Sequence, residues 1–513
     1  MMPVKDSRLT LVMGVDIGTS STKAIATDRS GRVMAVCRQS YPLLHPGPGW
    51  VELDPVRVVE AARAAMRDVF EKLPGHCRVE CISFSTAMHG LMAMDASGKP
   101  LSHLLTWADT RSVEEVREIR HDHAFEGLYA KTGLPLHPMS PLCKIRWMRK
   151  NWPAVRNETS IYGGIKEYLW FLLTGSWVTD FASAAATGML DIRQKTWYPP
   201  ALKLAGITEN LLPVPLDPLH AWTLEAEQLR RFLGMNHAPH PTPGKEWNIK
   251  LALGCTDGPL ANLGSGAMRP GLLALTIGTS GAVRVTVPEA LEDPGGGIFS
   301  YPFIPGYYTA GGPINNGAVI LKWFTENILQ KPFKDGVDFN AFLEEAMTVP
   351  PGAEGLVCLP WLMGERAPIW NAQASGIFIG LHMHHGRPHM MRALVEGICF
   401  SLKQIAGMLE EKGCDFQSIL ASGGFTASTA WVQMVADIFQ KPVYFSQEAD
   451  ASARGAAILG WMCLEEKVDP DAFASWQESR TRLNPSRENG PAYQQAFQRF
   501  QQLSGKYGKD ETI

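Results

Sequence analysis

The sequence predicts an α/β protein built of two similar lobes. Its 513 residues exceed what one hydrophobic core serves, so two large domains are expected. Short apolar runs bounded by Gly, Ser and Pro alternate with stretches of helical apolar spacing, the mark of an α/β architecture. Most telling is an internal echo. Val15-Asp16-Ile17-Gly18-Thr19-Ser20-Ser21-Thr22 returns as Leu275-Thr276-Ile277-Gly278-Thr279-Ser280-Gly281-Ala282, each time strand, Gly-Thr-Ser turn, strand. One such hairpin per half implies two like domains facing each other. The expected division is 1–250 and 251–513, because the Pro-rich stretch from His237 to Gly244 ends there and Ile249 to Leu253 starts a new strand.

In the first half, Leu9 to Asp16 reads as a strand that enters the turn Gly18-Thr19-Ser20-Ser21 and leaves through Lys23 to Asp28. A turn at Ser30-Gly31 leads into Arg32 to Val36, so an antiparallel meander opens the domain. Pro46-Gly47-Pro48-Gly49-Trp50 interrupts as a loop. Pro55 to Lys72 spaces Val58, Val59, Ala62, Met66 and Phe70 along one side of a helix, and Cys81 to Ser85 is another strand. In the second half, Ser418 to Leu420 is strand-like and Thr429 to Phe439 helical, with adjacent glycines between them. Met391, Leu394, Val395, Ile398 and Leu402 mark a further helix whose apolar spacing is that of a core face. The last residues, Gly505 to Ile513, read as loosely ordered.

Composition narrows the function classes. An apolar content of 45% with 19% charged residues is that of an ordinary globular protein, and a net charge of −3 offers no pull toward nucleic acid or anionic membrane. The nine cysteines are scattered, with no C-x-x-C pair, so neither a zinc site nor a disulfide framework is indicated. Reduced, buried thiols in the cytoplasm are the simpler expectation. No apolar segment approaches the roughly 18 residues of a membrane span, and Leu11 to Val15 is too short for a signal peptide.

Chemistry enters at three glycine turns. A Gly-Thr-Ser turn between strands aims backbone N–H groups and hydroxyls at one spot, a concavity for phosphate oxygens that needs no helix terminus. Glycine lets the backbone approach the anion. Asp16 beside the first turn is suited to the hydrated Mg2+ that accompanies ATP, since Mg2+ prefers oxygen ligands and keeps several waters. The second copy has Thr276 in that place, which assigns metal duty to Asp16 alone. An ordinary Gly-Ser hairpin is the alternative for one copy, and the second copy weakens it.

Gly254-Cys255-Thr256-Asp257-Gly258 puts an Asp on a glycine-flanked turn, where it is expected to be exposed. As a general base it would take the proton of a substrate hydroxyl during in-line phosphoryl transfer; a turn Asp capping a neighbouring N–H is the plainer alternative. Gly423-Gly424 at a strand-to-helix turn lets a flat ring such as adenine lie against the backbone, unless it is only a tight connection. No Walker A pattern and no G-x-G-x-x-G fingerprint occurs, so a nucleotide site here is neither P-loop nor Rossmann.

In this order the three segments resemble the FGGY carbohydrate kinases, whose fold is the two-lobed actin/hexokinase-like (ribonuclease H-like) ATPase fold. The resemblance runs over nearly the whole chain. Supporting stretches are Pro48-Gly49-Trp50-Val51-Glu52, Ser85-Thr86-Ala87-Met88-His89-Gly90, Thr106-Trp107-Ala108-Asp109-Thr110-Arg111, Met139 to Trp147, Gly164 to Leu169, and Gly364-Glu365-Arg366-Ala367-Pro368. It implies that Asp16, Thr19, Ser20 and Lys23 hold the terminal phosphate and metal, that Gly278 and Thr279 contact ADP phosphates, and that Gly423, Gly424 and Ser428 line the adenosine pocket. It implies Asp257 as the catalytic base and Met88, His89, Trp107 and Asp109 as contacts to the sugar. A homodimer is also what the resemblance implies.

One departure matters: glycerol and xylulose kinases carry an amide residue after the catalytic Asp, whereas this chain has Gly258. The wording of Thr106 to Ser112, Leu136 to Pro141 and Gly311 to Gly317 is most similar to the bacterial gluconokinases, which implies D-gluconate as substrate. Xylulose or a related polyol is the alternative, and a sugar-sensing actin-like ATPase a more distant one. Gluconate is a carboxylate and calls for a cation. Arg111, Lys144, Lys166 and Arg366 are the candidates, with Arg111 favoured because a guanidinium suits a carboxylate, and an ion pair within the lobe as its alternative.

His382, His384, His385 and His389 have a spacing a metal could use. With no Cys or acidic residue beside them in sequence, a surface loop is the preferred reading.

Overall fold

The computed structural model describes residues 8–122, 125, 127–236, 248–334, 336–446, 451–477 and 480–508. Two mixed sheets organise it. The first contains β1 (Leu9–Ile17), β2 (Ser21–Thr27), β3 (Val33–Ser40), β4 (Cys77–Thr86), β5 (Ala221–Glu225) and β6 (Asn248–Thr256), in spatial order β5-β6-β4-β1-β2-β3. The second contains β7 (Gly271–Ile277), β8 (Gly281–Val287), β9 (Phe299–Pro302), β10 (Tyr308–Ile314), β11 (Phe416–Ser422), β12 (Val443–Phe445) and β13 (Thr481–Leu483), in order β9-β10-β8-β7-β11-β12-β13.

The sequence echo therefore extends through both sheets. In each, an antiparallel hairpin (β1–β2, β7–β8) adjoins a parallel strand (β4, β11), then a second parallel strand (β6, β12), then an antiparallel edge. Registers agree as well: Asp16 lies opposite Ser85 in the first sheet and Thr276 opposite Ser422 in the second. Leu11, Val12, Met13 and Val15 are all fully buried, as befits a central strand covered on both faces.

Helix α1 (Pro55–Lys72) forms over the expected span. Asp54 caps it by accepting from Val56 N–H at 2.9 Å, Pro55 occupies its first position, and Val58, Val59, Ala62, Met66 and Phe70 are buried beneath it. Five further helices are α2 (Asp257–Gly264), α3 (Arg387–Glu411), α4 (Thr429–Phe439), α5 (Ala451–Glu465) and α6 (Gly490–Tyr507).

Residue 250 falls inside β6, and β6 pairs with β4, so the strand expected to open the second half completes the first sheet instead. Apolar periodicity identifies a buried strand but not the sheet it joins. The Pro-rich stretch from His237 to Gly244 lies outside the described residues. The chain also crosses back: α5 follows β12 of the second sheet, yet packs on β1 and β4 of the first and against α2. There the two helix backbones touch. A Cβ on Gly264 would stand 1.9 Å from Ala451 O, and one on Gly455 1.9 Å from Leu260 O.

At the other end, Gly505 to Tyr507 complete α6 and so are ordered helix; residues 509–513 lie outside the described residues. All nine cysteines are free, and only Cys414 is partly exposed. Among the described residues no helix is long and apolar enough to cross a membrane.

Candidate active site

The carboxyl ends of β1, β4 and β6 meet on one edge of the first sheet, where Ile17 pairs with Thr86 and Thr86 with Thr256. Ligands of open α/β sheets gather at such ends. From β1 the chain makes the turn Gly18–Ser21, closed by Gly18 N–H donating to Ser21 O at 3.0 Å. From β7 it makes the turn Gly278–Ser280, closed by Gly278 N–H to Ser280 O at 2.8 Å, one residue tighter than the echo implies. Ser20 and Thr279 are exposed and Thr19 half-buried.

A Cβ on Gly278 or Gly424 would meet nothing within 4 Å, so each backbone faces open space that a side chain would fill. Gly423 has φ +100°, and its Cβ would lie 2.4 Å from Ile277 O; the end of β11 thereby closes against β7. Ser428 is buried at the residue before α4.

Asp16 accepts from Ser85 Oγ at 2.6 Å and lies across the hairpin from Lys23. The matching pair of the second sheet, Thr276 Oγ1 and Ser422 Oγ, is neutral and joined at 2.9 Å. At this position, therefore, only the first hairpin carries charge.

Asp257 does not sit on an exposed turn. It is the half-buried first residue of α2, where a helix N-terminus favours a carboxylate. Of its flanking glycines, Gly254 belongs to an irregularity in β6, with φ +76° and a would-be Cβ 1.8 Å from Phe84 O, and Gly258 is inside the helix. Burial pushes the Asp257 carboxyl up from its ordinary range, while Arg284 and Arg366 draw it back down.

Across from these turns, Met88, His89 and Trp107 line a cavity shared with Gly18, Thr19 and Thr256. His89 has φ +61°, and its Nδ1–H donates to Ala186 O at 2.7 Å, which leaves Nε2 bare as an acceptor. Burial holds its pKa down at about 3, so the ring is neutral. Trp107 Nε1 donates to Thr19 Oγ1 at 3.1 Å and ties the cavity wall to the first phosphate turn.

Comparison with known proteins decides what kind of site this is. Models of the N-terminal and C-terminal domains of the FGGY family of carbohydrate kinases match residues 11–221 and 273–464. This chain belongs to the FGGY family of carbohydrate kinases. It is 34% identical over 500 residues to a gluconokinase of Bacillus subtilis, covering 96% of this chain and 95% of that one. It is 29% identical over 509 residues to a xylulose kinase of Lactococcus lactis, covering 96% of each. The crystal structure of gluconate kinase from Lactobacillus acidophilus matches it with a TM-score of 0.88 at 32% identity, over 98% of this chain and 99% of that one. As an FGGY kinase the protein is a phosphotransferase with an alcohol acceptor and ATP as donor.

Within this FGGY framework, Asp109 departs from its expected place at the sugar. It is fully buried, accepts from Val51 N–H at 2.8 Å, and grips Arg111 through Oδ1 to Nε (2.8 Å) and Oδ2 to Nη2 (2.7 Å). Arg111 also pairs with Glu52 at 2.6 Å and lies over the Trp50 ring at 3.9 Å. The stretches Pro48 to Glu52 and Thr106 to Arg111 thus form one buried brace behind Trp107, and Arg111 is an internal ion-pair residue.

Two of the other candidate cations are spent in the same way. Lys144 Nζ donates to His89 O (2.8 Å) and Thr106 O (2.7 Å), and Lys166 pairs with Asp180 and donates to Ser183 Oγ at 2.9 Å. Arg366 alone turns to the site. Its guanidinium lies over Trp107 at 4.6 Å with Nη2 donating to Ile314 O at 3.0 Å. Its setting explains a further motif: Asn315 and Asn316, from the Gly311 to Gly317 stretch, hold Met363 O, Gly364 O and the Glu365 carboxylate.

Three residues at the site carried no assignment from sequence: Arg284, Tyr301 and His137. Arg284 left the clearest signal, a single charge in the apolar strand Gly-Ala-Val-Arg-Val-Thr-Val.

His382, His384 and His385 lie on the loop before α3 and His389 in its first turn. A carboxylate distant in sequence reaches them, Glu354 standing 3.5 Å from His384 Nε2 and 3.3 Å from His389 Nε2. Among the described residues no group of three or more His, Cys, Asp or Glu is arranged to hold a metal.

Proposed function

We propose that this FGGY kinase transfers the terminal phosphoryl group of ATP to the terminal hydroxyl of D-gluconate, giving 6-phospho-D-gluconate and ADP. The observation that carries the choice of sugar is the full-length likeness to a gluconokinase, 34% identical over 96% of this chain, against 29% to a xylulose kinase.

In this reading Asp16, Thr19, Ser20 and Lys23 hold the terminal phosphate, and Gly278 and Thr279 the phosphates that leave as ADP. Gly423, Gly424 and Ser428 flank the adenosine, and Met88, His89 and Trp107 bind the polyol. The open faces of Gly278 and Gly424 suit a nucleotide, since a backbone without Cβ admits a ligand to contact. Asp16 suits Mg2+, being a hard oxygen donor braced by Ser85 while its counterpart Thr276 is uncharged. Bound there, the ion would supply neutralisation of charge on the transferring phosphoryl group.

Asp257 accepts the proton of the substrate hydroxyl as that oxygen bonds to the γ-phosphorus. The bond from the γ-phosphorus to the bridging oxygen breaks, and its electron pair leaves with ADP. Neutral His89 offers an uncharged acceptor to a sugar hydroxyl.

A panel of D-gluconate, D-xylulose and glycerol in a coupled ADP-release assay, with the product weighed by mass spectrometry, tests the reading. Gluconate is expected to turn over fastest. Faster turnover of xylulose would reverse the choice of sugar, and ADP release without a phosphorylated product would remove kinase action on these substrates.

A further inference from the structure

At the FGGY site several buried hydrogen-bond donors are left unmatched by the described residues. Arg284 Nε and Nη1, Arg366 Nε, Tyr301 Oη and His137 Nε2 are all shielded from solvent and without a partner among the described residues. Met139 N–H donates to His137 Nδ1 at 3.1 Å, which puts the ring proton on Nε2 and makes that atom a donor too. Arg366 acts electrostatically on Arg284, Tyr301 and Asp257, and on His137. Buried polar groups are nearly always satisfied, so a group of unmatched donors calls for an acceptor-rich ligand.

Arg284 holds the most exacting position. Alternate residues of β8 look toward α2: Thr286 Oγ1 meets Asn262 Nδ2 at 3.3 Å and Ala267 O at 2.7 Å, and Arg284, one step back along the same face, lies over the first turn of α2. There it meets Gly258. A Cβ added at Gly258 would stand 3.1 Å from Arg284 Nε, 3.6 Å from its Cζ and 3.5 Å from Met88 Sδ. A Cβ at 258 would thus crowd the guanidinium by a few tenths of an ångström, beside the sugar-facing Met88. It forms no ion pair with Asp257 among the described residues, and burial pushes its pKa down, only partly offset by that carboxylate. A second anion is what this place lacks.

We propose that Arg284, with Arg366 and Tyr301 beside it, receives the carboxylate of an open-chain sugar acid, and that Gly258 is the residue that admits Arg284 to its place beside Met88. The inference rests on the gluconate reading and specifies it. The other end of the chain, the terminal hydroxyl, then lies toward Asp257.

D-Gluconate and D-glucitol differ only at C1, carboxylate against hydroxymethyl, and so isolate this contact. The ratio of kcat/KM for gluconate to that for glucitol is measured in wild type, Arg284→Leu, Arg284→Lys and Gly258→Ala, with folding checked by thermal melting. A charge-assisted contact of this kind is expected to lower the ratio by roughly 10–10²-fold in Arg284→Leu, with partial recovery in Arg284→Lys. Gly258→Ala is expected to lower it as well, with the arginine still present. A wild-type enzyme that fails to prefer gluconate refutes the gluconate reading itself. A wild-type preference that survives in Arg284→Leu, or an equal loss on both substrates, overturns the role of Arg284 while leaving that reading intact.

Discussion

Adding one methyl group at Gly455 is expected to disable the kinase from a position that touches no substrate. The Cβ of Gly455→Ala would stand 1.9 Å from Leu260 O and 2.7 Å from Leu260 C, both backbone atoms that no rotamer change relieves. Contacts under 3.0 Å are essentially never seen for a Cβ, so α5 and α2 must part by about 1.1 Å, the difference between 3.0 and 1.9. Overpacking of this kind costs about 1–3 kcal/mol. For domains of about 150–250 residues, each kcal/mol lowers the thermal midpoint by roughly 2–4 °C. The kinetic consequence is larger, because Leu260 is one helical turn beyond Asp257. A misplacement of about 1 Å at a reacting group is worth roughly 10²-fold in rate. The assay is steady-state phosphorylation of gluconate beside a thermal melt, with Gly407→Ala as control. Gly407 lies within α3 with nothing inside 4 Å of its would-be Cβ. That control should gain about 0.5–1 kcal/mol from helix propensity and keep full activity. A Gly455→Ala enzyme with wild-type midpoint and turnover would refute the view that α2 and α5 set the position of the base.

Three other expectations follow from the site. Asp257→Asn should lose roughly 10²–10⁴-fold in kcat, read by single-turnover phosphorylation, with gluconate affinity in calorimetry little changed. Because burial raises the Asp257 pKa and the base acts ionised, activity should fall as pH is lowered through a value above about 3.9, and the acid limb of kcat/KM reports it. Arg284→Leu removes a cation that favours the ionised carboxylate, so that limb should move to higher pH, and a shift to lower pH would count against the assigned neighbourhood. Arg111→Met should destabilise by about 3–5 kcal/mol, since it leaves the fully buried Asp109 carboxylate without its partner, and Asp109→Asn by less, since Glu52 still pairs with Arg111. Urea unfolding measures this, and a change confined to the KM for gluconate would instead return Asp109 to the sugar.

What was legible in the sequence depended on the range of the interaction that fixed each residue. Helix α1, the opening meander and the paired hairpins are local, set by apolar spacing and turn residues, and they lie where the sequence places them. Asp257 was legible as a residue but not in its setting, because the two glycines beside it serve different needs. Gly254 serves close approach to β4, and Gly258 serves the approach of a side chain from β8. Neither need appears in the pentapeptide itself. The cations were least legible of all. Arg111, Lys144, Lys166 and Arg366 look alike in a string of letters, and only their partners separate them. Asp109, two backbone carbonyls and Asp180 consume the first three. Arg284 fails the usual sequence test for a functional arginine, having no motif around it. Yet its strand neighbours Val283 and Val285 are buried on the opposite face, and a charge alone among them must meet something on its own side. A single long-range contact, Gly258 with Arg284, then joins the helix that carries Asp257 to a strand charge that its local pattern leaves unexplained.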